Sequence, residues 1–326
     1  MQAIVVDDDT HDLRLDTVRT PDPAPTEVLV RVAAAGINRA DLMQRYGLYP
    51  PPAGITDILG MEVSGTIAAV GDDVTEWRVG DEVCALIAGG GYADYAVVPE
   101  SQLLPVPGGV SVIDAAALPE AAATVWSNLV MEAGLRSGET FLVHGGGSGI
   151  GTHAIQVAKA LGARVAVTVG SEYKAQRCRD LGADIVINYR EQDFATELAG
   201  RVDVILDIMA AQYLPANLAA LGPAGRLVII GMQGGIAGEL NIAELIAKRA
   251  RVIGTNVRNR PLTGRDSKAG IVTGVARHEW PLIADGRVQP VVSARLPLAD
   301  AARGQELLDS PDSVGKVLLL PGDGSR

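Results

Sequence analysis

Residues 141–163, FLVHGGGSGIGTHAIQVAKALGA, run from an apolar strand through five glycines and a serine into an amphipathic helix. Ile150, Ala154, Val157, Ala158 and Leu161 share one helical face, the pattern of a helix lying on a sheet. Aligned to end on Gly151, the fingerprint G-x-G-x-x-G reads Gly146, Ser148, Gly151, with serine in place of the middle glycine. Gly147 and Gly149 still let a ligand approach the backbone closely. A tight turn, bare N–H groups and a helix N-terminus make a seat for phosphate. The segment therefore predicts a dinucleotide pyrophosphate site built from residues 146–151. It sits near the middle of the chain, so another unit must be built before it.

Working outward, residues 119–264 alternate strand and helix patterns. Strands are predicted over 140–144, 164–169, 184–188, 203–208, 226–231 and 251–257, and helices over 152–161 and 242–250 among others. Such alternation implies crossover units and a parallel sheet. Residues 1–118 read differently. Short β-rich runs over 3–6, 28–35, 63–70, 83–87 and 92–98, broken by Gly, Pro and Asp, suggest a partly open barrel or sandwich. The tail from 265 carries a helical stretch, a strand over 291–296, a helix near 298–308 and a last strand over 315–320. About 60 residues are marginal for a core of their own. The tail is expected to return to the first unit rather than form a third.

The choice of nicotinamide rests on the second strand. An NAD site places an acid about 20 residues after the glycines to bind the ribose hydroxyls. Here that strand ends Val169-Gly170-Ser171, and the first acid, Glu172, already begins a helix. Lys174 follows, and Tyr189 closes the third strand. Removing the carboxylate and adding Ser, Lys and Tyr donors favours a 2′-phosphate, hence NADPH. Gly231, Met232 and Gln233 end the fifth strand and are expected to meet the nicotinamide ribose or carboxamide. Asn256 and Arg258, after the sixth strand, are weaker candidates of the same kind. Thr124, early in the helix after Pro119, either lines the nicotinamide side or bonds its own backbone.

Composition narrows the class. The 326 residues carry a net charge of −11, which repels phosphate backbones, so nucleic acid is not expected as a partner. No apolar run approaches the roughly 20 residues of a membrane span. The N-terminal MQAIVVDDDTHD lacks the basic and apolar regions of an export signal, which predicts a cytoplasmic protein. Two cysteines exclude a disulfide scaffold and a tetrathiolate zinc site. Cys84 reads as a small buried hydrophobe, and Cys178 sits on a helix between Arg177 and Arg179. The four histidines are scattered and suggest no triad.

Seven segments in one order give the chain a recognisable likeness. They are GINRADLMQRYGLYPPP (36–52), GMEVSGTIAAVG (60–71), GDEVCALIAGGGYADYAVVP (80–99), HGGGSGIG (144–151), GSEYK (170–174), NYREQDF (188–194) and VGKVLLL (314–320). The chain resembles the zinc-free NADPH:quinone oxidoreductases of the medium-chain dehydrogenase/reductase superfamily, in particular their tumour-suppressor-inducible type. The resemblance spans nearly the whole chain. It implies a GroES-like barrel domain made from both ends (1–118 and 265–326), with a six-stranded Rossmann domain (119–264) inserted. It also implies a homodimer joined through the Rossmann sheets.

Zinc enzymes of that superfamily carry Cys and His in the segments that here hold Asn38 and Met61, so metal-free hydride transfer to a quinone or activated enone is implied. The resemblance places Asn38 and Asp41 in the substrate pocket, followed by Tyr46 and Tyr49. A phenol there can donate to a developing oxyanion or relay a proton, with packing as the alternative reading. The same resemblance leaves a zinc-free 2-enoyl-thioester reductase and an NADPH-regulated binding protein of the zeta-crystallin kind as alternatives.

Overall fold

The computed structural model describes residues 1–322. The chain divides into two compact units. The first comprises Met1–Ala123, Arg258–Gly286 and the chain from Pro290 onward; the second is Thr124–Val257 with Arg287–Gln289.

The second unit holds one six-stranded parallel sheet. Its spatial order is Ile185–Asn188, Arg164–Val169, Thr140–His144, Val202–Asp207, Leu221–Ile229 and Arg251–Gly254. Numbered by sequence this is 3-2-1-4-5-6, the Rossmann order. Phe141, Leu142, Val165, Ala166, Val204 and Ile205 are fully buried between the helix layers, as continuous apolar runs require in a sheet covered on both faces. Strand order reverses between Thr140–His144 and Val202–Asp207, so the carboxyl ends of these two strands open a crevice where ligands bind such sheets.

The helix after the first strand, Gly149–Ala160, starts because the Ser148 hydroxyl accepts from the Gly151 N–H at 3.0 Å. Ser171 caps Glu172–Asp180 in the same way, accepting from Lys174 N at 3.3 Å. The helix Pro119–Val125 runs on into a π-helical stretch, Trp126–Glu132, which no sequence pattern announced. The fifth strand begins earlier than expected, and the sixth stops at Gly254.

The first unit is a mainly antiparallel seven-stranded sheet. Its order is Val292–Pro297, Lys316–Leu320, Glu27–Gly36, Glu62–Val70, Glu82–Leu86 and Leu103–Pro105, with Tyr95–Pro99 also paired to Glu27–Gly36. The tail strand Lys316–Leu320 pairs Leu318 with Gly36 and Leu319 with Ala35. Register shifts at Leu29/Val30 and Val32/Ala34 bend Glu27–Gly36 so that it can hold three partners. A core of Val28, Val30, Val63, Val83 and Val317 fills the unit. A separate antiparallel hairpin, Gln2–Val6 with Leu13–Thr17, lies outside this sheet. Among the described residues no helix is long and apolar enough to cross a membrane.

Candidate active site

The expected residues fall into two groups, one in each unit. In the second unit the glycine loop is packed so tightly that side chains are excluded. A Cβ on Gly151 would lie 2.3 Å from the Gly145 carbonyl oxygen, and one on Gly146 would lie 2.9 Å from Val167 Cβ and 3.0 Å from Cys178 Sγ. Gly145 has φ +73, a conformation that glycine adopts freely. The Thr168 carbonyl accepts from Gly146 N at 3.0 Å, tying the loop to the second strand. Burial pushes the Cys178 thiol up to about 12, which makes it an inert support of the loop.

Beside the loop, the predicted phosphate donors converge. A Cβ on Gly147 would meet the Lys174 stem at 3.1 Å, and one on Gly170 would meet the Tyr189 hydroxyl at 2.3 Å. Gly147, Gly170, Ser171, Lys174 and Tyr189 thus form one corner with no carboxylate on the second strand's end. Ile150 is half-buried in the helix's first turn. Across the crevice, Gly231 approaches the Ile208 carbonyl so closely that a Cβ would lie 2.9 Å from it, and Gln233 N donates to that oxygen at 3.0 Å. Met232 and Gln233 are exposed there. Thr124 is buried, and its carbonyl accepts from Asn128 Nδ2 at 2.7 Å and Ser127 Oγ at 3.2 Å. Asn256 is exposed beyond the sixth strand.

Below the loop lies a buried polar chain that the sequence reading passed over. The His144 ring nitrogens lie 3.0 Å from Thr168 Oγ1 and 2.7 Å from Asn217 Oδ1, and Asn217 Nδ2 donates to Asp207 at 3.0 Å. Burial lowers the His144 pKa to about 4, so the ring is neutral, while burial raises Asp207 to about 6 against its backbone donors at Met209 and Ala210. The signal was a lone histidine at the end of an apolar strand, which here is a satisfied core group.

In the first unit, Asn38 and Asp41 open the helix Arg39–Arg45. Asp41 is fully buried and accepts from Asn38 N at 2.8 Å, Tyr92 Oη at 2.9 Å and Gly60 N at 3.2 Å. Burial raises its pKa to about 6, opposed by those hydrogen bonds and by Lys316. The Asp41 carboxylate is walled in and holds the turn. Asn38 is committed at both ends of its amide. Nδ2 donates to Glu62 Oε1 at 2.9 Å, and Oδ1 accepts from Lys316 Nζ at 2.6 Å. Lys316 also pairs with Glu62, whose other oxygen accepts from Glu120 N at 2.9 Å. Sequence reasoning missed Glu62 and Lys316. The available signal was one acid and one base, each set in an apolar strand that would bury it.

Tyr46 is half exposed, edge-on to His11 at 5.6 Å and under the Arg45 guanidinium at 5.3 Å. Tyr49 is partly buried, with the Arg258 guanidinium over its ring at 5.2 Å. Arg258 lies past the sixth strand's end, in the first unit, and its donors go to carbonyls and an amide of that unit.

A six-stranded sheet in Rossmann order with a glycine-rich loop after its first strand, joined in one chain to a mainly antiparallel β unit, defines a nicotinamide-type dehydrogenase/reductase. Residues 24–108 match the family model "Alcohol dehydrogenase GroES-like domain", and residues 149–268 match "Zinc-binding dehydrogenase". A quinone oxidoreductase of Salmonella typhimurium is 36% identical over 318 residues, covering 94% of this chain and 95% of that one. An acryloyl-coenzyme A reductase of Sulfurisphaera tokodaii is 28% identical, covering 98% of this chain and 100% of that one. The crystal structure of Escherichia coli quinone oxidoreductase complexed with NADPH superposes with a TM-score of 0.88 at 31% identity, covering 98% of this chain and 100% of that one. The chain belongs to the quinone oxidoreductase family of the medium-chain dehydrogenase/reductases.

The residues Asn38, Met61 and Glu62 do not fit the zinc of the second model's description. Zinc takes thiolate, imidazole and carboxylate ligands. Asn38 offers an amide and Met61 a thioether, while Glu62 is already paired with an ammonium. Among the described residues, no group of three or more His, Cys, Asp or Glu stands together. NADPH, by contrast, fits the second unit: Gly146 and Gly151 have no room for side chains, and the corner at Lys174 offers cation and hydroxyl donors.

Proposed function

We propose that this protein is a zinc-independent NADPH:quinone oxidoreductase that reduces a quinone or an activated enone. The observation that carries the cofactor choice is the convergence of Lys174 and Tyr189 on Gly147 and Gly170. The residues that would hold NADPH are Gly146–Gly151 around the pyrophosphate, Gly170, Ser171, Lys174 and Tyr189 around the 2′-phosphate, and Thr124, Gly231, Met232, Gln233 and Asn256 toward the nicotinamide. When bound, NADPH supplies the hydride. The helix Gly149–Ala160 offers its N-terminal N–H groups to phosphate, and the Lys174 ammonium adds the charge a 2′-phosphate needs. In the first unit Tyr49 is read as the phenol that donates a hydrogen bond to an acceptor oxygen as negative charge grows there. Asn38 and Asp41 hold the helix start that precedes it.

The first unit is read as the GroES-like substrate domain and the second as the Rossmann NADPH domain. The protein is further read as cytoplasmic and as a homodimer joined through its Rossmann sheets. Support for the dimer comes from the outer strand Arg251–Gly254, which among the described residues has a sheet partner on one side only, from exposed Val252 on it and from exposed Ile242 and Ile246 on the preceding helix. Similarity to an acryloyl-coenzyme A reductase favours a thioester reductase as the second reading.

Two measurements test this function. Dissociation constants for NADPH and NADH, repeated with Lys174→Ala, should show NADPH bound more tightly and the difference largely lost in the variant. Equal binding of both by the parent would refute the 2′-phosphate reading. A steady-state panel of ortho- and para-quinones against crotonyl thioesters should favour quinones. Faster thioester turnover would transfer the assignment to the second reading.

A further inference from the structure

Arg258 is a buried cation with an unusual set of partners. The side chain is 5% exposed. Nε and an Nη donate to the Ala88 carbonyl at 2.8 and 2.6 Å, and the same Nη reaches Gln44 Oε1 at 2.6 Å. The other Nη donates to the Tyr49 carbonyl at 3.2 Å. The guanidinium carbon stands 5.2 Å from the centroid of the Tyr49 ring. Gln44 passes the tie onward, its Nε2 donating to the Asp57 carbonyl at 3.0 Å. One guanidinium therefore joins the end of the helix Arg39–Arg45, the loop over 46–58 and the strand exit at Ala88.

Much of the loop is exposed. Leu48 is 71% exposed and Ile55 39% exposed. Gly47 and Gly54 take left-handed conformations at φ +70 and +84. Burial disfavours the charge on Arg258, while Asp41 and Glu120 favour it; Lys268 faces it with like charge. An apolar side chain of similar volume would tether these segments without that desolvation penalty. What a guanidinium adds is a rigid fork of donors and a positive charge on the face of the tyrosine ring.

We propose that Arg258 is a positioning residue for Tyr49, fixing both the backbone and the ring orientation of the phenol that meets the acceptor oxygen. The proposal deepens the reading of Tyr49 given above and rests on it.

A double-mutant cycle tests it, using Tyr49→Phe, Arg258→Met and the two together, with Arg258→Lys alongside. Arg258→Met should lower kcat about 10- to 100-fold, as expected when a hydrogen-bonding group is misplaced. The double variant should be no slower than Tyr49→Phe alone, and Arg258→Lys should recover part of the loss. Losses that multiply would overturn the proposal, since a merely structural arginine acts independently of the phenol.

A second readout needs no turnover. In protein labelled with 3-fluorotyrosine, the 19F line absent from Tyr49→Phe identifies Tyr49 among the seven tyrosines. Arg258→Met should shift or broaden that line and leave the lines of tyrosines remote from Arg258 in place. An unmoved line refutes the positioning role even if no quinone turns over. Absence of quinone turnover in the parent would instead count against the function itself. If Arg258→Met does not fold, Arg258→Lys carries the same cycle and spectrum, because lysine keeps the charge but loses the fork.

Discussion

Replacing Lys316 by methionine is the sharpest test of how the first unit is held together. The side chains of Lys316 and Glu62 are 5% and 0% exposed, so the pair is shielded from water. Methionine fills most of the volume, so the cavity contribution is small. What remains is a buried carboxylate with two neutral donors, Asn38 Nδ2 and Glu120 N, and no cation. Breaking a buried pair in this way costs about 3–5 kcal/mol. Asn38 Oδ1 also loses its donor at 2.6 Å, an orphaned buried acceptor worth about 1–3 kcal/mol. Because the same ammonium serves both groups, the two losses overlap, and a total of about 4 kcal/mol is expected. That is a large part of the roughly 5–15 kcal/mol that holds a domain folded. Urea unfolding followed by tryptophan fluorescence reads it as a lower midpoint at unchanged slope. The double variant Glu62→Gln/Lys316→Met removes the stranded charge and should regain at least half of the loss. A single-variant loss below about 1 kcal/mol, or double-variant losses that simply add, would refute the argument.

Two further outcomes follow from the same geometry. Asp41 holds its proton to about pH 6 in the folded protein, against about 3.9 in an unfolded chain. The folded state therefore binds more protons between those values, and this group's contribution is greatest below about pH 4 and falls by about 3 kcal/mol by pH 7. Subtracting the stability–pH curve of Asp41→Asn from that of the parent should leave a falling limb between pH 4 and 6, and a flat difference would contradict the burial argument. Gly170→Ala sets a methyl where the Tyr189 hydroxyl lies, 2.3 Å away; displacing that donor should weaken NADPH binding about tenfold while leaving NADH little changed, as isothermal titration of both cofactors would measure.

Much of the fold was legible along the chain because its signals are local. The glycine loop and the apolar face of Gly149–Ala160 lie within a few turns of one another, and glycine spacing and helical period report them directly. The segment Gly170, Ser171 and Lys174 stood out for the same reason: the lack of an acid at the very end of the second strand is a fact about consecutive residues. The π-helical stretch Trp126–Glu132 was not readable, since its backbone pairing is set by what packs around it.

The sequence by itself determined the Rossmann unit and its glycine loop, and it carried the expectation of a 2′-phosphate. Only the tertiary structure decided which charged and polar groups face a ligand and which are structural. Asp41 is a buried brace of the turn before its helix. Arg258, past the end of a sheet strand, grips the backbone and ring of Tyr49. Lys316 drew no attention in its apolar strand, yet it meets Asn38 across 278 positions of sequence. The physical reason is common to all three. Whether a charge is solvated or paired depends on neighbours brought together by pairing of strands remote in sequence, and no local period encodes that meeting.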